Sequence, residues 1–161
     1  MSVNIDLRVV APGDDTYVDA AWELKERIRM GEGFLRQREG FFKDAYRRST
    51  GYVLLERGPD GEEVVGFASC RRDGYILFLA VDPGQRGEGY ARRLVAAVAD
   101  DHTTVTCHAR TTNEAALGFY EHLGFRIVRR VDNYYEDRGD AYYLRLGEEG
   151  IKEKLSRFMR R

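Results

Sequence analysis

From Leu77 to Val95 the chain reads Leu-Phe-Leu-Ala-Val-Asp-Pro-Gly-Gln-Arg-Gly-Glu-Gly-Tyr-Ala-Arg-Arg-Leu-Val. An apolar run stops at a glycine-rich turn, and an amphipathic segment follows at once. This order predicts strand, turn and helix in immediate succession. A helix start presents unpaired backbone N–H groups and the positive end of the helix dipole, so the turn is a candidate anion cradle. Arg86, Gly89 and Ala91 fall in the order Arg-x-x-Gly-x-Ala, with Gly89 permitting close backbone approach and Ala91 adding little bulk. Two other glycine-rich readings are excluded. The chain has no Gly-Lys-Ser or Gly-Lys-Thr for a P-loop, and Arg92 stands where a dinucleotide fingerprint needs its third glycine.

The rest of the chain organises around that unit. Asn4–Val10 alternates polar and apolar residues and predicts an opening strand. Asp14 or Asp15 can cap a helix running to Met30, with Tyr17, Ala20 or Ala21, Leu24 and Ile28 inward. A second helix is predicted over Phe34–Arg48. Tyr52–Glu56 and Glu63–Arg71 form a hairpin about Gly58-Pro59-Asp60-Gly61, and Tyr75–Val81 is the central strand. A helix over Gly89–Asp100, a strand over Val105–Ala109 and a helix over Asn113–Leu123 follow, before closing strands Arg126–Val131 and Ala141–Leu146. An antiparallel meander followed by a β-α-β unit implies an α/β fold with a mixed sheet. Residues 1–147 form one domain in this reading. Residues 148–161 form a basic amphipathic C-terminal helix carrying Ile151, Leu155, Phe158 and Met159, able to pack on its own domain, make a homodimer contact or dock elsewhere.

Composition narrows the partners. In 161 residues, 26 basic and 27 acidic side chains leave a net charge of −1, so bulk electrostatics argue for neither nucleic acid nor membrane binding. No apolar run reaches the about 20 residues of a membrane helix, and no signal-peptide core is present, so the expected location is the cytoplasm. Cys70 and Cys107 lie in predicted strands without metal-ligand spacing, which predicts buried, reduced thiols and no metal site.

The Arg86–Ala91 turn resembles the pyrophosphate-binding turn of the GNAT acetyltransferases, which carry Gln/Arg-x-x-Gly-x-Gly/Ala. Asn113-Glu-Ala-Ala-Leu-Gly-Phe-Tyr-Glu-His-Leu-Gly-Phe125 is similar to that family's Asn-x-x-Ala-x-x-x-Tyr-x-x-x-Gly-Phe segment. The resemblance implies a GNAT fold of about seven strands flanked by about four helices. It implies acetyl-CoA as co-substrate, held by the backbone of Leu79, Ala80 and Val81 and by the turn Arg86, Gly87, Glu88, Gly89, Tyr90 and Ala91. Asn113 and Ala116 would border the cofactor, and Tyr120 would protonate the departing thiolate. In this reading Asn113, Ala116 and Tyr120 share one helix face, while Ala115, Phe119 and Leu123 line another toward the core.

The acceptor side rests on a closer resemblance, to the ribosomal-protein and archaeal-type N-terminal acetyltransferases. That likeness makes His108 the candidate base, Tyr75 its partner, and the loop tyrosines Tyr134 and Tyr135 contacts for a substrate peptide. Histidine suits the role because its ordinary pKa lies near neutrality. Those enzymes often carry a Phe-Pro-Val-like loop between the first two helices. This chain has Met30-Gly-Glu-Gly-Phe-Leu35, in which Phe34 can take the apolar role and Glu32 could instead draw a cationic amine. The acceptor is therefore a protein or peptide α-amine, with a small-molecule amine as the alternative enzyme reading. A non-catalytic acyl-CoA-binding module and an interaction protein built on the C-terminal helix are the competing classes.

Overall fold

The computed structural model describes residues 4–147, so the predicted C-terminal helix lies outside the described residues. The elements run β1 (Asn4–Val10), α1 (Val18–Glu32), α2 (Glu39–Arg48), β2 (Thr50–Gly58), β3 (Gly61–Cys70), β4 (Ile76–Val81), a short 3-10 turn (Pro83–Gln85), α3 (Tyr90–Asp100), β5 (Val105–Arg110), α4 (Glu114–Leu123), β6 (Arg126–Val131) and β7 (Ala141–Leu146).

The expected mixed sheet is parted into two. Strands β1-β2-β3-β4 form a four-stranded antiparallel sheet, and β5-β7-β6 form a three-stranded one. The two meet where β4 and β5 begin, at a single parallel bridge between Tyr75 and Thr106. Beyond it neither strand pairs with the other, which leaves a cleft between them.

Both faces of the larger sheet are covered, which is why β2 and β3 read as apolar runs rather than as alternating strands. On one face Tyr52, Leu54, Val65 and Ala68 pack with Leu94, Val95 and Val98 of α3 and with Tyr120 and Leu123 of α4. On the other, Val53, Leu55, Phe67 and Phe78 pack with Leu24 and Ile28 of α1 and with Phe42 and Tyr46 of α2. Phe42 centres an aromatic cluster, 4.6 Å from Phe78 and 5.9 Å from Phe67 between ring centres. These two cores clamp β4 and thereby fix the wall of the cleft.

Two helix starts differ from the sequence expectation. Asp14 caps no helix, because its carboxylate accepts from the Thr16 N–H at 2.9 Å and the Thr16 hydroxyl at 2.6 Å. Helix α1 accordingly begins at Val18. The second helix does not start at Phe34. Leu35 adopts a φ of 58°, incompatible with a right-handed helix, so residues 34–38 form a loop and α2 starts at Glu39.

Candidate active site

The cleft has a volume of about 1320 Å³ and is lined from β4, the following turn, α3, β5, α4 and two loops. On one side stand Leu79, Ala80 and Val81 at the open edge of β4. Arg86, Gly87, Gly89, Tyr90 and Ala91 continue that wall into the turn. Gly87 and Gly89 have φ values of 88° and 80°, and a Cβ on either would meet nothing within 4 Å. The turn therefore bends through the left-handed region beneath open space. Helix α3 opens on a bond from Arg93 N to Gly89 O, and the start of a helix directs its first N–H groups outward along the axis. That arrangement fits a pyrophosphate.

Two side chains of the turn point elsewhere. Glu88 is exposed and does not line the cleft, since the flanking glycines turn backbone rather than this carboxylate inward. The Arg86 side chain pairs with Glu32 at 2.5 Å and reaches the Val81 carbonyl at 3.4 Å. Asn113 caps α4, its Oδ1 accepting from Ala116 N at 3.1 Å, and both residues line the cleft.

The other side is aromatic. Tyr75 Oη lies 2.6 Å from His108 Nδ1 and 3.2 Å from Tyr134 Oη. His108 is stacked on Tyr134, with ring centres 4.0 Å apart, and packs obliquely against Tyr143 at 4.9 Å. Burial, then the positive charges of Arg129 and Arg71, hold the His108 pKa below its ordinary 6.5. The ring is thus a neutral base at physiological pH. Burial also raises the pKa of Tyr75, keeping its hydroxyl protonated.

Tyr120 is buried, 6% exposed, and lines the cleft with its hydroxyl against the Cys107 thiol. Burial drives its pKa well above the usual value, so it carries a proton throughout the neutral range. The Cys107 thiol is pushed up to about 12 by burial and is no nucleophile at neutral pH. Cys70 and Cys107 are both free and buried. Of the helix face assigned to packing, Leu123 is buried and Phe119 packs against the core, but Ala115 is exposed, and Tyr120 is buried with them.

Phe34, Tyr134 and Tyr135 all line the cleft. Tyr135 lies beneath Arg110, whose guanidinium is 4.0 Å from the ring centre. Sequence reasoning missed Arg71, Arg129, Tyr143 and the pair Arg36–Asp137. None carried a local sequence signal; Tyr143 faces His108 through the register in which β7 pairs with β5. No group of three or more potential metal-ligating side chains is clustered among the described residues, and no described helix is long and apolar enough to cross a membrane.

The sheet is parted at its centre, with a glycine turn and a helix start at the mouth of the gap. The chain belongs to the acetyltransferase (GNAT) family, whose model matches residues 17–125. It is 38% identical over 157 residues to N-alpha-acetyltransferase 30 of Homo sapiens, covering 86% of this chain and 43% of that protein. It is 35% identical over 95 residues to the N-alpha-acetyltransferase RimI of Mycobacterium tuberculosis, covering 53% of this chain and 60% of that protein. The chain spans between 27% and 64% of the length of the N-alpha-acetyltransferase 30 relatives it matches. Among solved structures it resembles the ribosomal-protein-S18-alanine N-acetyltransferase from Escherichia coli, with a TM-score of 0.71, 24% identity and coverage of 89% and 94% of the two chains.

Proposed function

We propose that this protein transfers the acetyl group of acetyl-CoA to the α-amine of a protein or peptide. When bound, acetyl-CoA supplies a thioester carbonyl for the amine to attack. The turn at Arg86–Ala91 would hold its pyrophosphate through backbone N–H groups, and the unpaired edge of Leu79–Val81 would hold the pantetheine arm.

Tyr75 occupies Nδ1 of His108, which leaves Nε2 for the acceptor. If Nδ1 carries the hydrogen and donates to Tyr75, the Tyr75 hydroxyl can donate onward to Tyr134. Nε2 then presents its lone pair and takes the amine proton, directly or through one water. Tyr120 keeps its proton until the thiolate departs and delivers it there; the resulting phenolate then takes up a proton and the His108 imidazolium gives one up by exchange with solvent, so both side chains are restored without an acyl-enzyme. Tyr134, Tyr135 and Phe34 would seat the first residue of the acceptor.

The observation that carries this reading is the His108–Tyr75–Tyr134 cluster opposite the glycine turn. Relatives named N-alpha-acetyltransferases support an α-amine acceptor. Glu32 gives the small-amine alternative little support, because its carboxylate is already paired with Arg86. The test is coenzyme A release with peptides of varied first residue against a panel of polyamines and amino acids. The reading expects turnover with peptides, and turnover confined to small amines overturns it.

A further inference from the structure

The loop 33–38 and the loop between β6 and β7 both line the cleft, and a chain of charges ties them together. Arg36 of the first loop donates to Asp137 Oδ2 of the second at 2.5 Å. Arg110, at the end of β5, donates to both Asp137 oxygens at 3.1 Å. Each member is held independently. Arg36 Nε donates to the Gly33 carbonyl at 2.6 Å. Arg110 is only 13% exposed and is stacked on Tyr135. Asp137 accepts from Gly139 N at 3.0 Å, inside a tight turn where Arg138 N donates to Tyr135 O.

The first loop is also anchored from behind. Lys25, whose side chain is fully buried in α1, donates to the Gln37 carbonyl and lies 4.5 Å from the centre of the Trp22 ring. A fully buried ammonium group is rare unless something in the interior requires it. Here Glu26 pairs with it at 3.1 Å, and a loop carbonyl of the acceptor wall, that of Gln37, accepts from it as well. Behind and in front, the loop is gripped by cations.

We infer that Asp137, bridging Arg36 and Arg110, is a positioning residue that holds the two acceptor loops together and so sets the seat for the first residues of a peptide acceptor. This rests on the proposed peptide acetylation. Asp137 touches no reacting atom; it acts through Tyr135 and Phe34. Asp137 stays ionised, since the Gly139 N–H and Arg110 hold its carboxyl below the usual range. Arg36 and Arg110 share the Asp137 carboxylate, so the strap is a three-membered network rather than an isolated surface pair.

The test compares wild type, Asp137→Asn, Arg36→Gln, Arg36→Lys and the Asp137→Asn/Arg36→Gln double variant. Steady-state kinetics on a peptide acceptor should show KM raised about fivefold in Asp137→Asn and Arg36→Gln, with the acetyl-CoA KM unchanged. Arg36→Lys should recover most of the loss, and the double variant should be no worse than the worse single one. In parallel, amide hydrogen exchange without substrate should quicken at residues 33–38 and 133–139 in Asp137→Asn, and not along α3. Unchanged exchange in those loops, additive losses, or an equal rise in the acetyl-CoA KM would overturn the inference. The exchange measurement needs no acceptor. A wild type that acetylates no peptide therefore counts against the functional reading, while silent loops count against the strap.

Discussion

Replacing Arg129 by glutamine should raise the pKa of His108. The Arg129 guanidinium lies 4.5 Å from the centre of the Tyr143 ring, and that ring lies 4.9 Å from the imidazole. The cation is therefore within about 10 Å of the base, where two unit charges at an effective dielectric of about 40 interact by about 0.8 kcal/mol. That corresponds to about half a pKa unit at low ionic strength, and less at about 0.15 M salt, where the Debye length is about 8 Å. The sign follows from the charge: Arg129 disfavours protonated His108, so its removal favours it. Activity that needs neutral His108 falls as pH drops through this pKa. The acid limb of kcat/KM should accordingly move to higher pH in Arg129→Gln. An NMR titration of the His108 ring gives the same quantity without any turnover. A ring pKa that stays put or falls would refute the electrostatic reasoning, and a shifted ring with an unshifted limb would remove His108 from the reaction.

Three further outcomes are expected. Tyr120→Phe should lower kcat by about 100-fold while leaving acetyl-CoA affinity intact by calorimetry, since only the proton donor is lost; parallel losses in both would contradict the general-acid role. Gly89→Trp should abolish acetyl-CoA binding while the thermal unfolding midpoint falls only modestly, because a side chain there enters open space above the turn at a strained φ of 80°. Normal binding in that variant would refute the turn assignment. Phe67→Ala should destabilise the fold by about 3–5 kcal/mol in denaturant titration, because Phe67 is fully buried between Phe42 and Tyr46.

Strands β1, β6 and β7 end where their apolar patterns and turn residues end, because both signals act over a few neighbouring residues. The same locality made the Arg86–Ala91 turn and the Asn113–Phe125 helix legible: each is one contiguous piece of backbone. Errors arose where a tertiary choice overrode a local one. Asp14 was free to cap a helix or an Asx turn, and Thr16 decided it. Leu35 was an acceptable helix residue until its loop was drawn toward Asp137 and Lys25. The parting of β4 from β5 after one bridge is written in neither strand's apolar pattern; it is implied by the family resemblance, in which the central strand splays from the next, and by the Pro83-Gly84 turn that ends the strand. No local pattern marks Arg71, Arg129 and Arg36, which reach the cleft from three separate elements. A surface arginine and a site arginine look alike until the fold brings them together.

The central claim, acetyl transfer to an α-amine, is tested most directly on one peptide carrying both a free N-terminus and an internal lysine. After incubation with acetyl-CoA and wild-type protein, fragmentation mass spectrometry locates the added acetyl group. The account predicts acetylation at the N-terminal nitrogen, matched by stoichiometric coenzyme A release and absent when that nitrogen is blocked beforehand. Acetyl found only on the lysine side chain, or coenzyme A release undiminished by the block, would contradict it.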